Sequence, residues 1–322
     1  MCFGFDGERA LRDSLDQKGA SRRSVFRGAA AIGAAGAVGA AALGAASPAV
    51  AHGHRGKGGR GHGSRVPHEL ISIQMYTLRD VTDGTTLPTI LERLAQYGYE
   101  RVELAGYYKL TAAQMKAALD AQGIRATSSH DGLSNRNSAA IRTKMENAKT
   151  LGQKYVVVPY LVSDQLSYWQ DAADQMNAEA AIARRYGLRY GYHNHAHEFT
   201  TDLGGGVTPW EVLTERLDPR LVHLEVDLYW AYTGGVNSGA ADPLEFAIDV
   251  VRSAPQEVRQ YHVKDRAASN GDMADLGTGV IDFAEIFRKH RVEEYIVEND
   301  TPDVTPLTTA AVGHGYLEHL KF

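Results

Sequence analysis

The sequence predicts an α/β protein, a single (β/α)₈ TIM barrel over residues 68–322 of the 322-residue chain. Eight short β-rich runs alternate with amphipathic helical stretches, which is the order of strands and helices in a parallel sheet. Four predicted helices end in a glycine just before the next strand, at Gly98, Gly123, Gly152 and Gly187. Glycine at that position adopts the left-handed conformation that ends a helix. Eight such units in about 250 residues match a closed barrel.

Each unit pairs a strand with the helix that follows it. The predicted strands are Leu70–Tyr76, Arg101–Leu104, Ala126–His130, Tyr155–Pro159, Arg189–His193, Val222–Asp227, Gln260–Val263 and Tyr295–Glu298. The predicted helices are Leu87–Tyr97, Ala112–Gln122, Ala139–Leu151, Trp169–Tyr186, Pro209–Leu217, Pro243–Ser253, Asp282–His290 and a last helix that closes near Leu320. A doubly wound open sheet is the alternative, but it would carry a glycine-rich fingerprint after the first strand, and Met75-Tyr76-Thr77-Leu78-Arg79 is not one.

Residues 1–51 have the order of an export signal. Arg22 and Arg23 precede an Ala/Gly-rich apolar run, Gly28 to Ala46, which ends in the small-residue cleavage pattern of residues 47–51. Paired arginines are typical of the twin-arginine route. A membrane anchor, the alternative, needs about 20 strongly apolar residues, and this run contains few of them. We therefore expect a cleaved signal, no stable membrane insertion afterwards, and a periplasmic, cell-envelope or extracellular location.

Residues 52–67 are rich in Gly, His, Arg and Lys without apolar periodicity, which predicts a flexible linker. The only cysteine, Cys2, lies in the signal, so the mature chain has neither disulfides nor a catalytic thiol. Without residues 1–51 the chain holds 28 basic and 35 acidic residues, a net charge of −7. An acidic domain without a basic stripe is an improbable nucleic-acid binder, so we expect no nucleic-acid partner.

Barrel enzymes form their active sites at the carboxyl ends of the strands. Side chains that can bind metals or transfer protons stand at or just beyond five predicted strand ends: His130, His193, His195, Glu198, Asp227, His262, Lys264, Glu298 and Asn299. A barrel would direct them into one cup, where converging carboxylates repel each other unless a cation neutralises them. Carboxylate and imidazole ligands suit Mn²⁺, Co²⁺, Mg²⁺ or Zn²⁺, so the sequence predicts one divalent metal ion.

At this point a family resemblance becomes visible. The strings YHNHAHEF, HLEVDLYW, YHVKD, LGTGVIDF and YIVEND occur in this order in the second half of the chain. With them, residues 68–320 resemble the xylose isomerase-like barrels, often called sugar phosphate isomerases/epimerases, and in particular the exported branch of that family. The set of strings is specific, whereas each string alone is weak.

The resemblance implies one divalent metal bound by Glu, Asp, His and Glu from strands five to eight. By position, Asp227, His262 and Glu298 match the last three ligands directly. The first is Glu198, which lies slightly beyond strand five, with His193 or His195 as the alternative ligand. Our hypothesis for the chemistry is proton abstraction next to a carbonyl, with the metal as the Lewis acid that stabilises an enediolate.

For this chemistry His195 is the first candidate base and Glu298 the second, while Lys264 or His130 returns a proton or holds the oxyanion. We expect the substrate to contact a further set of side chains: Gln74, Glu103, His193, Tyr229, Trp230 and Asn299. Tyr229 and Trp230 would form an aromatic wall for a sugar ring. Ordinary packing is the competing interpretation for these aromatic residues. For Glu225 we expect an ion pair with Arg or Lys in the barrel core.

The expected function is a sugar isomerase or epimerase that acts on a non-phosphorylated sugar or keto-sugar, because phosphorylated sugars are rare outside the cell. A lyase of the same fold is the runner-up, either a dehydratase or an enzyme that eliminates the aglycone of a 3-keto-glycoside, since one enediolate serves all three outcomes. A non-catalytic sugar-binding barrel and a metal-dependent nuclease are two further functions compatible with the fold. The substrate partner is thus a small carbohydrate, and a homo-oligomer is possible.

Overall fold

The structure is a computed structural model that describes residues 64–322. The predicted signal peptide, residues 1–51, and residues 52–63 of the predicted linker lie outside the described residues. The last linker residues lie against the barrel, because Val66 is buried and Arg65 forms an antiparallel bridge with Lys321. Between residues 64 and 322, no helix is both long enough and apolar enough to span a membrane.

Eight parallel strands form a nearly closed barrel, which confirms the predicted fold class. The strands are β1 (Ile71–Gln74), β2 (Arg101–Leu104), β3 (Arg125–Ser129), β4 (Tyr155–Val158), β5 (Arg189–His193), β6 (Val222–Asp227), β7 (Val258–Val263) and β8 (Glu294–Val297). Their hydrogen-bonded order is β3-β2-β1-β8-β7-β6-β5-β4. A single parallel bridge between His130 and Val157 joins β3 to β4 and closes the circle.

Nine α-helices occur among residues 64–322. They are α1 (Leu87–Gln96), α2 (Ala112–Asp120), α3 (Ser138–Leu151), α4 (Leu166–Arg185), α5 (Pro209–Arg216), α6 (Leu228–Ser238), α7 (Pro243–Ser253), α8 (Phe283–Lys289) and α9 (Pro306–His319). Side chains cap several of them: Thr111 and Gln114 form a reciprocal capping box on α2, and Thr208 and Glu211 form another on α5. Gly152 is left-handed at the end of α3, as predicted for these glycines.

Three local features differ from the sequence prediction. The first strand ends at Gln74, because the chain turns into a 3₁₀ helix at Met75–Val81. A short antiparallel hairpin pairs Asp265–Arg266 with Met273–Ala274 after β7. Helix α6 follows β6 directly and was not predicted.

Two glycines explain why α6 is hard to recognise from the sequence. Gly234 and Gly235 lower the helix propensity of this segment. Their lack of a side chain is needed for packing, since a Cβ at Gly234 would lie 2.5 Å from the ring of Phe199 and one at Gly235 would lie 3.0 Å from Phe246. Close approach to these two rings therefore outweighs the propensity cost.

Residues alternate along each strand between two environments, because successive side chains point to opposite faces. Residues such as Ile73, Leu104 and Val226 belong to the apolar core between barrel and helices. Their neighbours Gln74, Glu103, Glu225, Gln260, His262 and Glu294 are polar, fully buried and hydrogen-bonded to one another across the barrel interior. The barrel interior is therefore polar, and its upper layer is the floor of the candidate site.

Candidate metal centre and active site

A cavity of about 420 Å³ opens at the carboxyl ends of the barrel strands. Its lining comprises Tyr76, Ala105, His130, Pro159, Tyr160, His193, His195, Lys264, Glu298 and Asp300. A second cleft, of about 480 Å³, involves the amino-terminal end of β5 and is lined by Arg184, Gly187, Leu188, Arg189, Arg220 and Leu221. Barrel chemistry occurs at the carboxyl ends, so the first cavity is the candidate active site.

Four buried side chains at this end could share one metal ion. His193, Asp227, His262 and Glu298 each offer one ligand atom, and all four atoms lie within 4.8 Å of one another. His193 ends β5, Asp227 ends β6, His262 lies in β7, and Glu298 follows β8 directly. Three of the four predicted ligands are thus brought together, and His193, the predicted alternative, stands where Glu198 was expected.

Asp227 has two distinct roles for its two carboxylate oxygens. Oδ1 accepts a hydrogen bond from the backbone N–H of Trp230 (2.9 Å) and so caps α6. Oδ2 is buried without a hydrogen-bond partner, 3.8 Å from His193 Nε2 and 3.1 Å from Lys264 Nζ. The helix cap therefore fixes the carboxylate with its free oxygen aimed at the other candidate ligands.

Glu198 lies outside this group, which corrects the prediction that it binds the metal. It stands on the short 3₁₀ turn His197–Phe199, and its carboxylate belongs to neither group of side chains that could hold a cation. Oε1 accepts from the hydroxyl of Tyr192 (2.6 Å), and Oε2 accepts from the backbone N–H of His195 (2.8 Å). Burial raises the pKa of this carboxyl. Glu198 therefore holds the loop after β5 in place.

A layer of carboxylates lies beneath the candidate ligands. Oε1 of Glu103 lies 2.6 Å from His262 Nε2, and Oε1 of Glu225 lies 3.1 Å from the same nitrogen. Glu225 also contacts His193 Nδ1 (3.2 Å) and His130 Nε2 (2.8 Å). The expected ion pair of Glu225 with Arg or Lys is wrong, because these three partners are histidines. A second group that could hold a cation is formed by the same residues, His130, His193, Glu225 and His262.

Gln74 and Glu103 were expected to bind substrate hydroxyls, but both are fully buried below the cavity. The amide of Gln74 donates to Glu103 Oε1 (2.8 Å), and its oxygen accepts from the N–H of Tyr76 (2.9 Å). Asn299 is also buried, and its oxygen accepts from the N–H of Thr301 (2.9 Å). These side chains support the site from behind and do not line the cavity.

Lys264 supplies the positive charge of the cup. Its ammonium lies 3.1 Å from Asp227 Oδ2, 2.9 Å from Glu298 Oε2 and 3.0 Å from Asp300 Oδ2. Burial opposes the charged form, but these three carboxylates outweigh burial and raise its pKa well above the usual value. Lys264 is therefore a buried ammonium that can donate a hydrogen bond into the cavity.

The histidines divide into charged and neutral groups. Burial disfavours the imidazolium of His130, yet Glu103 and Glu225 outweigh it and raise its pKa to about 10. Burial followed by the charge of Lys264 lowers the pKa of His195 to about 3, and burial also lowers the pKa of His193. His195 is therefore neutral at physiological pH, and its Nδ1 is buried without a partner. It stands 5.1 Å from the ring of His193.

The predicted aromatic wall does not face the cavity. Trp230 packs 5.3 Å from His195 and 5.4 Å from the Lys264 ammonium, behind both. Tyr229 is buried, and its hydroxyl donates to the carbonyl of Gly271 (2.8 Å). The aromatic side chains that do line the cavity are Tyr76 and Tyr160. Each lies two residues beyond the end of its strand, β1 or β4. A search for side chains at the carboxyl ends of strands one and four would therefore have found them.

The four-residue group has the chemistry of a divalent metal site. Two imidazoles and two carboxylates are a ligand set for Zn²⁺, Mn²⁺ or Co²⁺. Oδ2 of Asp227 is buried among the other ligands and accepts no hydrogen bond, and its ion pair with Lys264 shows that this position attracts positive charge. Glu103 and Glu225 contact the outer nitrogens of the two histidines, an arrangement typical of metal-binding imidazoles. The residues therefore fit the metal ion that the sequence predicts.

Comparison with known proteins finds relatives of named activity. Two curated relatives are named inosose dehydratase: the Bacillus licheniformis protein is 28% identical over 179 residues, and the Geobacillus kaustophilus protein is 24% identical over 287 residues. The matched segments cover 50% and 74% of this chain. They span 56% of the first relative, little more than half of its length, and 88% of the second.

Two solved structures share the barrel. A sugar phosphate isomerase/epimerase from Parabacteroides distasonis superposes with a TM-score of 0.60 at 26% identity, over 79% of this chain and 96% of that one. The IolI protein, solved with a bound zinc atom, has a TM-score of 0.56 at 16% identity, over 76% and 94% of the two chains, and so shows the fold alone. Residues 91–302 match the sequence family described as Xylose isomerase-like TIM barrel. By this match over more than half of its length, the chain belongs to the xylose isomerase-like TIM barrel family.

Proposed function

We propose that this protein is a divalent-metal-dependent enzyme that removes a proton next to the carbonyl of a non-phosphorylated sugar or keto-sugar. The observation that carries the proposal is the group formed by His193, Asp227, His262 and Glu298, two of which line a cavity that also holds a neutral histidine and a buried ammonium. The predicted export signal supports the choice of a non-phosphorylated substrate. Export by the twin-arginine route is part of the proposal.

The four residues of the group would hold the metal, and a bound divalent ion supplies Lewis-acid polarisation of the substrate carbonyl. His262 and Glu298 are already close, with Nδ1 2.7 Å from Oε2. Lys264 lies beside Asp227 and Glu298, so its ammonium can stabilise negative charge that develops on the substrate oxygen. A preorganised donor at this position costs no reorganisation during the reaction.

His195 is the residue that best fits the role of general base. Its ring lines the cavity, Nδ1 has no hydrogen-bond partner, and the side chain is neutral. Glu298, the second candidate, contacts His262 and Lys264, which outweigh burial and lower its pKa. A carboxylate that is engaged by these two partners and belongs to the metal-binding group is not available to the substrate proton, so we assign Glu298 to metal binding alone.

A proton must then be returned to the substrate, or to the group that leaves it. Lys264 and His130 both line the cavity and are both protonated, so each can serve as the acid. Protonation of the former carbonyl carbon, with transfer of the hydroxyl proton to the former carbonyl oxygen, completes an isomerisation. Protonation of the original carbon on its opposite face completes an epimerisation. These two outcomes match the first function that the sequence analysis favoured.

Dehydration is the second candidate outcome, and the names of the curated relatives favour it. Both the Bacillus licheniformis and the Geobacillus kaustophilus relatives are inosose dehydratases. In a dehydration the base removes the proton next to the carbonyl, and an acid protonates the hydroxyl on the following carbon, which leaves as water. His195 as base and His130 or Lys264 as acid provide both functions within one cavity.

The first experiment measures metal content. Plasma mass spectrometry of the purified protein should find about one Zn, Mn, Co or Mg per chain, and the Asp227→Ala/His262→Ala variant should lose it. The matched control is His223→Gln/Glu294→Gln, which changes two fully or almost fully buried barrel residues outside the four-residue group. Absence of metal from the wild type, even after incubation with these ions, would refute the proposal and leave a sugar-binding barrel.

The second experiment separates the outcomes. Keto-sugars and an inosose are incubated with the metal-loaded protein in D₂O and followed by NMR. Loss of the proton signal next to the carbonyl, through exchange for deuterium or through elimination, reports proton abstraction. A new isomer or epimer then indicates an isomerase or epimerase, whereas ultraviolet absorption of a conjugated enone indicates a dehydratase. The variant His195→Ala should abolish deuterium exchange while it retains the metal.

A further inference from the structure

Exposed apolar side chains gather at the mouth of the candidate site. Within residues 64–322, nine large hydrophobic side chains are more than about a third exposed. Six of these nine lie in two short segments, 76–81 after β1 and 160–168 after β4: Tyr76, Val81, Tyr160, Val162, Leu166 and Tyr168. Exposed apolar groups that cluster beside a cavity mark a surface that binds something.

Tyr76 is held on one side and open on the other. The guanidinium carbon of Arg79 lies 4.1 Å from the centroid of the Tyr76 ring. Arg79 is itself fixed, since it donates to the carbonyl of Tyr76 (3.0 Å) and to the carbonyl of Asp300 (2.6 Å). The tyrosine nevertheless remains 44% exposed. Its ring is therefore both positioned and available for contact.

Tyr160 has the same character after β4. Its ring meets His195 edge to face, with centroids 5.0 Å apart and an interplanar angle of 87°, and it lies 5.3 Å from His197. The ring of His197 is anchored in turn, with Nε2 2.7 Å from the carbonyl oxygen of Leu161. Tyr160 is 50% exposed. The imidazoles of His195 and His197 thus position the Tyr160 side chain, half of whose surface remains exposed to solvent.

Both tyrosines line the same cavity as His193 and Glu298. The inner part of this cavity is charged, whereas its aromatic contribution comes from these two outer rings. Aromatic faces stack on the C–H faces of pyranose rings, and a few polar groups then fix the orientation of the sugar. The cavity therefore offers a reactive inner position and a stacking outer position.

We propose that Tyr76 and Tyr160 form an outer subsite that stacks a second sugar ring, so that the substrate is a keto-sugar joined by a glycosidic bond to another ring. This inference rests on the proposed function for the inner ring. A carbohydrate is favoured over a protein or lipid partner because the two rings are separate platforms beside charged groups such as Lys264 and Asp300, within one cavity of about 420 Å³.

The test measures binding of unreactive probes, so it needs no turnover. Isothermal titration compares glucose with cellobiose, maltose and trehalose. We expect at least one disaccharide to bind about tenfold more tightly than glucose, which corresponds to about 1.4 kcal/mol from the stacking contact. Tyr160→Ala and Tyr76→Ala should each remove most of this gain. The matched control is Tyr168→Ala, an exposed tyrosine on α4 that does not line the cavity.

Three outcomes would overturn the subsite. The first is that no disaccharide binds more tightly than glucose. The second is that the gain in disaccharide affinity persists in both Tyr76→Ala and Tyr160→Ala. The third is that phenyl glucoside binds more tightly than every disaccharide, which would identify an aromatic aglycone as the occupant. The proposed function fails separately. Tighter binding of a disaccharide than of glucose, without bound metal or deuterium exchange, would refute the proposed chemistry and support the subsite. Deuterium exchange on monosaccharides, without tighter binding of any disaccharide, would support the chemistry and refute the subsite.

Discussion

The carboxylate of Glu225 contacts the ring nitrogen of His193 that points away from Asp227. Oε1 of Glu225 lies 3.2 Å from Nδ1, while Nε2 of the same ring lies 3.8 Å from Asp227 Oδ2. A carboxylate at the outer nitrogen of a metal-binding histidine fixes its tautomer and its orientation. Glu225 has the same relation to His262, because it approaches Nε2 (3.1 Å) while Nδ1 faces Glu298.

We expect Glu225→Gln to weaken metal binding by about 10- to 100-fold, since the loss of such a contact leaves two ligands less well oriented. Titration of the metal-free protein with Zn²⁺ or Mn²⁺ against a competing chelator measures this affinity. Glu294→Gln is the control, because Glu294 is equally buried but contacts Thr127 and Gln260. Equal affinities of the two variants would show that Glu225 does not position the ligands.

Lys264→Met should destabilise the metal-free protein by about 3–5 kcal/mol, because it leaves the buried carboxylates of Asp227 and Glu298 and the partly buried Asp300 without their ammonium. A saturating divalent metal should restore part of this loss by neutralising Asp227 and Glu298. Urea unfolding with and without metal measures both effects.

Lys144→Met provides the comparison for this experiment. It breaks another buried ion pair, Lys144 with Glu179 at 2.8 Å, which includes no candidate metal ligand. Metal should therefore stabilise the Lys144→Met variant only as much as it stabilises the wild type. If metal raised the free energy of unfolding equally in the wild type, Lys264→Met and Lys144→Met, Lys264 would not be the counterion of the candidate metal ligands.

The pH dependence of stability should contain a contribution from Glu294. Burial raises its pKa from 4.5 to about 7 in the folded protein. Between these two values the folded state binds more protons than the unfolded state, so stability falls as the pH rises from about 4.5 to 7. The cost above pH 7 is about 3 kcal/mol. Glu294→Gln should therefore match the wild type near pH 4.5 and exceed its stability at pH 8, as measured by urea unfolding; a constant difference between the two would contradict this.

Two glycines in α9 should respond to alanine in opposite directions. A Cβ at Gly313 would overlap Val297, which precedes Glu298 in the chain, whereas one at Gly315 would meet nothing within 4 Å. We expect Gly313→Ala to destabilise the protein by roughly 1–3 kcal/mol through overpacking and to weaken metal binding. Gly315→Ala should stabilise it by about 0.5–1 kcal/mol through helix propensity. Thermal unfolding of both variants measures these changes. A shift of the unfolding temperature in the same direction for both variants would contradict the packing argument.

The barrel could be predicted because its main signals are local. Short β-rich runs between amphipathic stretches located the strands, and glycines such as Gly152 marked the helix ends. Helix α6 was missed because Gly234 and Gly235 are present for contacts with Phe199 and Phe246, which only the folded structure brings near. Helix propensity depends on a residue and its neighbours in the sequence, and it contains no information about the side chains that pack against that residue in the fold.

Site residues could be predicted only where the direction of a strand determines where the side chain points. Asp227 and His262 point into the cup because they lie on barrel strands, and a barrel aligns their ends. Glu198 lies beyond β5, where a 3₁₀ turn determines its direction, and no pattern in the sequence reveals that Tyr192 is its partner. The histidine partners of Glu225 likewise come from three other strands or strand ends.

The bridge between His130 and Val157 has a consequence for the order of assembly. It closes the barrel, and His130 also lines the cavity and contacts Glu103 and Glu225. Glu103 lies on β2 and Glu225 on β6, so His130 connects the first four strands with the last four. All four candidate ligands come from β5–β8 or the residue after β8, whereas His130 and Glu103, which contact Glu225 and His262, come from the first half. The ligands therefore have their full set of supporting contacts only after the two ends of the sheet have met.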